Sequence, residues 1–234
     1  GVQEFMGHTF KVSPDVLIPR QDTETLVTEA ARGIQETPRE KLSFFEKLKG
    51  GKEWEVLDLC CGSGAVGISL AKISSNVKVL GTDVSEKALA VAEENAKNLR
   101  VKMRFARGDM FAPAAGKKFD MIVSNPPYIR TRMISILQEE VKDHEPLQAL
   151  DGGRDGLDFY RVIVKEAGGF LLLEIGHDQG EDLRKMIRDD GRYTPAEIIR
   201  DLPGKDRVVK CEIRDKNEHR AEAKGVTEEQ GEDQ

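Results

Sequence analysis

The sequence predicts an α/β fold: a mainly parallel sheet with helices on both faces, preceded by a small β-hairpin. Three observations carry this. From Glu55 onward, short apolar runs alternate with amphipathic stretches of helical period, the pattern that requires parallel strands joined by crossover helices. Four of the predicted strands end, in chain order, on a glycine loop, an acid, a second acid and Asn125-Pro126-Pro127-Tyr128. Open parallel sheets bind ligands at the carboxyl ends of their strands. Finally, 234 residues of 38% hydrophobic content suffice to bury a core, as one large domain or two small ones.

Taken in order, Phe5-Met6-Gly7 and Thr9 to Val12 read as a hairpin turning at Gly7-His8. Asp22 or Thr23 is placed to cap a helix through Leu26, Val27, Ala30 and Ala31. Arg20 and Glu24 beside it read as a surface ion pair. A second short helix is expected over 39–49, then Gly50-Gly51 as a linker. Strands are expected at 55–59, 77–81, 101–105, 119–123, 170–175 and 207–213. Helices are expected at 65–73, at 85–98 with Ser85 as cap, at 155–167 and at 178–189. Residues 215–234 are charged, poor in apolar groups and expected to be disordered. This divides the chain into 1–50, 51–214 and a tail.

No apolar run approaches the about 18 residues that span a bilayer. Cys60, Cys61 and Cys211 cannot all pair and lack metal-ligand spacing, which points to a reducing, cytoplasmic setting. A net charge of −6 argues against a generic nucleic-acid binder. Arg100, Lys102, Arg104 and Arg107 form one basic cluster, read as a solvated strand edge.

The organising stretch is Ser124-Asn125-Pro126-Pro127-Tyr128. Two prolines stop the preceding strand, and the first forces Asn125 into extended backbone. The loop presents an amide oxygen, carbonyls and an aromatic ring, the equipment for gripping a planar NH2 group: Asn125 Oδ1 and the Pro126 carbonyl accept its two hydrogens, and Tyr128 packs on its face. Upstream, Asp58-Leu59-Cys60-Cys61-Gly62-Ser63-Gly64 joins strand to helix, its glycines letting backbone N–H groups approach a ligand. Asp83 ends the next strand, where a carboxylate can take both hydroxyls of a ribose. Asp109 can accept from an adenine amino group, or Met110 can donate its backbone N–H. Any one of these residues alone is equally well a turn residue.

This order of strand ends resembles the Rossmann-like class I S-adenosylmethionine-dependent methyltransferases, and Asn125-Pro126-Pro127-Tyr128 resembles the loop of their amino-methylating branch. Val16-Leu17-Ile18-Pro19-Arg20 with Asp22-Thr23-Glu24, His144-Glu145-Pro146 with Leu150-Asp151-Gly152-Gly153-Arg154-Asp155-Gly156, and Leu173-Glu174-Ile175-Gly176 narrow the resemblance to the HemK/PrmC family of release-factor glutamine methyltransferases. The resemblance implies a seven-stranded sheet and S-adenosyl-L-methionine as cofactor, without a metal. It implies cofactor contacts at Asp58, Cys60 to Gly64, Asp83, Asp109, Met110 and Asn125, and substrate held by Asn125, Pro126, Pro127 and Tyr128. Asn125, Pro126 and Tyr128 carry the chemistry. Arg20 and Glu24 fall near the site's mouth. Class I peptide chain release factors are the implied partners, with no membrane and no nucleic acid as direct substrate. A ribosomal-protein glutamine or an exocyclic amine of DNA or RNA is the alternative substrate, and a nonenzymatic cofactor-binding module the alternative of another class.

Four departures from the family pattern stand out. Cys60 replaces a usual glycine, which the turn accommodates if φ is negative. Gln21 replaces a usual proline. The helical N-terminal domain expected for the family is not among these residues, and Glu166 to Phe170 joins helix to strand tightly.

Overall fold

The computed structural model describes residues 1–36, 52–137 and 145–214. The expected helix at 39–49, the Gly50-Gly51 linker, His144 and the charged tail lie outside them.

The chain opens on an antiparallel hairpin, β1 (Val2–Phe5) and β2 (His8–Lys11). Its turn falls on Met6 and Gly7, both at positive φ, and not on Gly7-His8. Two left-handed residues are what a tight hairpin needs to match the twist of its strands. After a 3-10 turn (Gln21–Thr23) comes α1 (Glu24–Gln35). The main sheet then builds through β3 (Trp54–Leu59), α2 (Ala65–Ile73), β4 (Val77–Asp83), α3 (Glu86–Asn98) and β5 (Arg104–Arg107). It continues with β6 (Met121–Ser124), the short α4 (Thr131–Ile134), α5 (Asp158–Glu166), β7 (Phe170–Glu174), α6 (Gly180–Asp190), β8 (Glu197–Arg200) and β9 (Asp206–Glu212).

The seven strands lie in the order β5-β4-β3-β6-β7-β9-β8. Pairings from β5 to β7 are parallel, and β9 runs antiparallel to both of its neighbours. This is the Rossmann-like, mainly parallel sheet that the alternation demanded. Successive strand residues bury on opposite faces: Trp54 and Val56 join one core with α1, α2 and the hairpin phenylalanines. Leu57 and Leu59 join the other, with Tyr160, Ile163, Leu183 and Ile187 of α5 and α6. Strands covered on both sides read as continuous apolar runs, and the central β6 and β7 do.

The sequence expectations differ from the structure at several ends, each for a physical reason. β5 begins at Arg104, not Val101, because α3 is still being unwound there: Arg100 is left-handed and the Val101 N–H returns to the Ala96 carbonyl at 2.8 Å. α5 begins at Asp158, since Asp155 first closes a local turn onto the Leu157 N–H. The seventh strand, β8, had no assigned position; it is four residues long and at the sheet edge. Ser85 caps α3 as expected, accepting from Ala88 N at 3.2 Å. Thr23 makes no side-chain cap on α1, and Asp22 pairs with Arg207 instead. Arg20 and Glu24 do not pair with each other. Glu24 accepts the Met6 N–H, and Arg20 binds Glu145. The tight connection after α5 is completed by Gly168 and Gly169; a Cβ at Gly169 would lie 2.6 Å from the Asp120 carbonyl, and its φ is 75°. On edge strand β5, Arg104 and Arg107 pair with Glu55 and Glu86.

Candidate active site

The first strand in the sheet's reversal of order is β3, and a pocket of about 390 Å³ opens beyond the carboxyl ends of β3, β4 and β6. Its wall includes the sequence-predicted Asp58, Cys60, Cys61, Gly62, Ser63, Asp83, Asp109, Met110, Asn125 and Pro127. Gly64 sits one step behind it. Pro126 and Tyr128 are off this wall, although they belong to the same loop.

The glycine loop is held from below. Cys61 N–H donates to the Thr82 carbonyl and Gly64 N–H to the Cys61 carbonyl. Gly64 (φ 78°) could not carry a side chain, because a Cβ there would meet Ile68 at 2.9 Å and Ala92 at 3.1 Å. α2 starts directly after it, aiming its first-turn N–H groups and the positive end of its dipole at the pocket. Cys60 has φ 59°. The condition that this turn suit a negative φ is therefore not met: the position is left-handed, which is the reason glycine fits there best. Burial and the neighbouring Asp83 and Asp58 push both the Cys60 and Cys61 thiols well above their ordinary range, so they stay protonated.

Asp83 braces the loop from β4. Its Oδ2 accepts from Gly62 N and its Oδ1 from Ser85 N, each at 2.9 Å. Each oxygen retains acceptor capacity toward the pocket. Asp58 is fully buried and accepts the Gly67 N–H of α2 at 2.9 Å. Burial pushes its carboxyl up to about 7, and Asp83 adds to that. Met110, at φ 43°, turns the chain at the pocket wall.

A strap over 12–19 forms the opposite wall through Asp15, Val16, Leu17 and Pro19. Asn95 of α3 fixes it: its amide donates to the Lys11 and Ser63 carbonyls and accepts the Lys11 N–H. One buried side chain thus joins hairpin, helix and glycine loop. At the mouth, Arg20 meets Glu145 at 2.5 Å, linking the strap to the segment carrying Pro146, Gln148 and Ala149 of the wall.

The Asn125 loop is braced from behind by the 151–156 stretch. Ile129 N–H donates to Leu150 O and Gly152 N–H to Ile129 O. A Cβ at Gly152 would lie 2.7 Å from Tyr128 Cα, and one at Gly156 (φ 79°) 2.4 Å from Tyr128 O. Gln179, buried, donates to the carbonyls of both Tyr128 and Gly156 and accepts the Gly176 N–H. Sequence reasoning did not find Gln179 or Asn95; neither has a local signal. Gly156→Ala is therefore expected to shift the Tyr128 backbone and lower kcat about a hundredfold, with cofactor affinity little changed. Steady-state kinetics beside calorimetric cofactor binding check this.

Next to the loop, Asn125 Nδ2 donates to Thr23 Oγ1 at 3.3 Å. Tyr128 Oη donates to Glu174 Oε1, also at 3.3 Å. Glu174 ends β7 and is buried; burial pushes it up to about 7 against the opposing influence of Thr23, Arg207 and Tyr128. Asp58 and Glu174 thus bind protons in the folded chain at pH values where the unfolded chain has lost them. Stability then falls as pH rises from about 4 to 7. A tenfold difference in proton affinity between the folded and unfolded chain corresponds to about 1.4 kcal/mol. The urea midpoint of the ligand-free protein is therefore expected to drop between pH 5 and pH 8, and Asp58→Asn to flatten that slope.

The residues fit S-adenosyl-L-methionine: a glycine cradle with a helix N-terminus, an acid at the next strand end, and a buried Thr82 hydroxyl on the pocket wall without a hydrogen-bond partner among the described residues. A family model for the methyltransferase small domain matches residues 42–145. The release factor glutamine methyltransferase of Moorella thermoacetica is 41% identical over 215 residues, covering 88% of this chain and 71% of that one. Those of Geobacter sulfurreducens and Bacillus subtilis are 40% and 39% identical, covering 89% and 93% of this chain and 70% and 74% of theirs. Among solved structures, a methyltransferase from Pyrococcus furiosus superposes with a TM-score of 0.59 at 17% identity, covering 86% of each chain. The ribosomal protein L11 methylase from Lactobacillus delbrueckii gives 0.53 at 18%, covering 86% of this chain and 83% of its own. These two establish the likeness of fold.

Proposed function

The chain belongs to the release factor glutamine methyltransferase family, and on that premise we propose that it methylates the side-chain nitrogen of the glutamine in the Gly-Gly-Gln motif of class I peptide chain release factors. The observation that carries the reading is the position of Asn125: half-buried at the end of β6, it is shared between the cofactor pocket and the Thr23–Glu174 side of the loop. Such work on translation factors belongs in the cytoplasm.

When bound, S-adenosyl-L-methionine supplies an electrophilic methyl group on a sulfonium. Asp83, the glycine loop and the α2 N-terminus would hold it, with Asp109 and Met110 available to its base. A carboxamide nitrogen is a weak nucleophile because its lone pair is delocalised into the carbonyl. The chain therefore positions rather than deprotonates. Asn125 Oδ1 and the Pro126 carbonyl accept the two amide hydrogens, raising electron density on nitrogen and turning it toward the pocket. Pro127 closes one side and Tyr128 the other. The surplus proton leaves to solvent after transfer. Orientation and fixed dipoles supply the rate.

Methyl transfer from labelled cofactor to a purified bacterial release factor tests this, with a nucleic-acid substrate run alongside. Label on the factor is the expected result. Label on nucleic acid alone would move the chain to base methylation, the rival that uses the same type of loop.

A further inference from the structure

We propose that Glu174 is a positioning residue of the transfer site, fixing through Thr23 the direction in which the Asn125 amide faces and holding Tyr128 directly. The inference rests on the glutamine-methylating reading above.

An asparagine amide can sit either way round. Only one way presents Oδ1 to a substrate NH2; the other would set two NH2 groups against each other. Asn125 Nδ2 faces Thr23 Oγ1 at 3.3 Å. Thr23 is buried, so its hydroxyl proton must also find an acceptor. The proposed acceptor is the Glu174 carboxyl: it is buried, Thr23 favours its charged form, and its Oε2 has no other hydrogen-bond partner among the described residues. With its own proton committed to a carboxylate, Thr23 can only accept from Asn125, and Asn125 Oδ1 is then turned to the substrate. The same carboxylate takes the Tyr128 hydroxyl proton at 3.3 Å. A single acid therefore sets both side chains of the substrate loop.

The surroundings suit an anchor. Glu174 is 1% exposed, and its backbone carbonyl is held by the Tyr160 hydroxyl at 2.7 Å. Its Oε2 has no partner in hydrogen-bonding geometry among the described residues, an arrangement that costs stability and calls for a reason. The charged and titratable groups facing it are Tyr128 from the loop, Arg207 from β9, Asp22 from the 3-10 turn and Tyr160 from α5. Arg207 also binds Asp22 and Asp201, each at 3.1 Å, which pins the turn bearing Thr23 against β9. Burial leaves Glu174 titrating at about 7. Protonated, it can donate to Thr23, which then can donate to Asn125 Oδ1, and the amide loses its fixed direction.

The test is kcat at saturating cofactor against pH, with a release factor as substrate. Wild-type kcat should rise about tenfold from pH 6 to pH 8. Glu174→Gln, which does not titrate and whose single amide oxygen replaces the two acceptor oxygens offered to Thr23 and Tyr128, should lower kcat at pH 8 about 30-fold, with a flat profile and unchanged cofactor affinity. Asp58, which also titrates near neutrality, lies under the cofactor loop, so its effect is expected in cofactor affinity, which saturation removes from kcat. Glu174→Gln with wild-type kcat and an unaltered profile would overturn the proposal. Should that variant fail to fold, Thr23→Ser and Thr23→Val decide: serine keeps turnover and valine loses it, whereas equal activity of the two overturns the proposal. A wild-type chain that methylates no release factor would refute the proposed function, a distinct outcome.

Discussion

Replacing Asn125 with alanine is expected to lower turnover about a thousandfold, the scale of removing one preorganised polar group aimed at a reacting centre, while cofactor affinity stays within a few fold. Asn125 contributes one edge to a pocket whose wall is otherwise built by the glycine loop, Asp83, Met110 and the 12–19 strap. The cofactor therefore keeps most of its contacts. The substrate amide loses its principal acceptor and with it the alignment of nitrogen to the methyl group. Asn125→Asp is a sharper variant. It keeps an oxygen of the same size, but Thr23 then has no N–H to accept, so the Thr23–Glu174 side must reorganise around two carboxylates. Single-turnover rates with pre-bound cofactor, set against calorimetric affinities, separate the two effects; unchanged turnover in Asn125→Ala would remove the loop from the chemistry.

Asp83→Ala gives the opposite split. Asp83 accepts from Gly62 N and Ser85 N, and hydrogen bonds to a charged group contribute about 1.5–3 kcal/mol each. Losing them frees the glycine loop as well as the acceptor for a ribose. Cofactor affinity is expected to fall about a hundredfold or more, while turnover at saturating cofactor changes little. Asp83→Asn should fall between, since its one remaining oxygen can still serve Gly62 or the ligand. Calorimetric titration measures this directly.

Much of this was readable from the sequence because it is written locally. Apolar runs that alternate with helical stretches gave the parallel sheet. Prolines after β6, glycines after β3 and acids at the ends of β4 and β5 marked the strand ends where the pocket opens. What escaped is decided by neighbours far along the chain. β8 is a four-residue edge strand with Glu197 and Arg200 at its ends, too short for its alternation to show. The expected Arg20–Glu24 pair gave way to partners 125 and 18 residues away. Cys60 was expected to suit its turn only if φ were negative, and the loop holds it left-handed instead. Asn95 and Gln179 look like ordinary polar residues in sequence, and Glu174 entered only as part of a likeness to the family. Only the packed sheet brings them behind the pocket and the loop. The Asp151 to Gly156 stretch, which entered only as a likeness to the family, acquires its physical reason in the same way: its glycines let two backbones touch.

The central claim is that the Asn125 loop delivers a glutamine amide nitrogen, and no other atom, to the cofactor pocket. It is tested most directly by locating the methyl group on the product. After reaction with a class I release factor and deuterated-methyl cofactor, fragmentation mass spectrometry of the Gly-Gly-Gln peptide should place the label on the glutamine side-chain amide. A factor with that glutamine replaced should stay unlabelled. Label on another residue, or equal label on the replaced factor, would contradict the account.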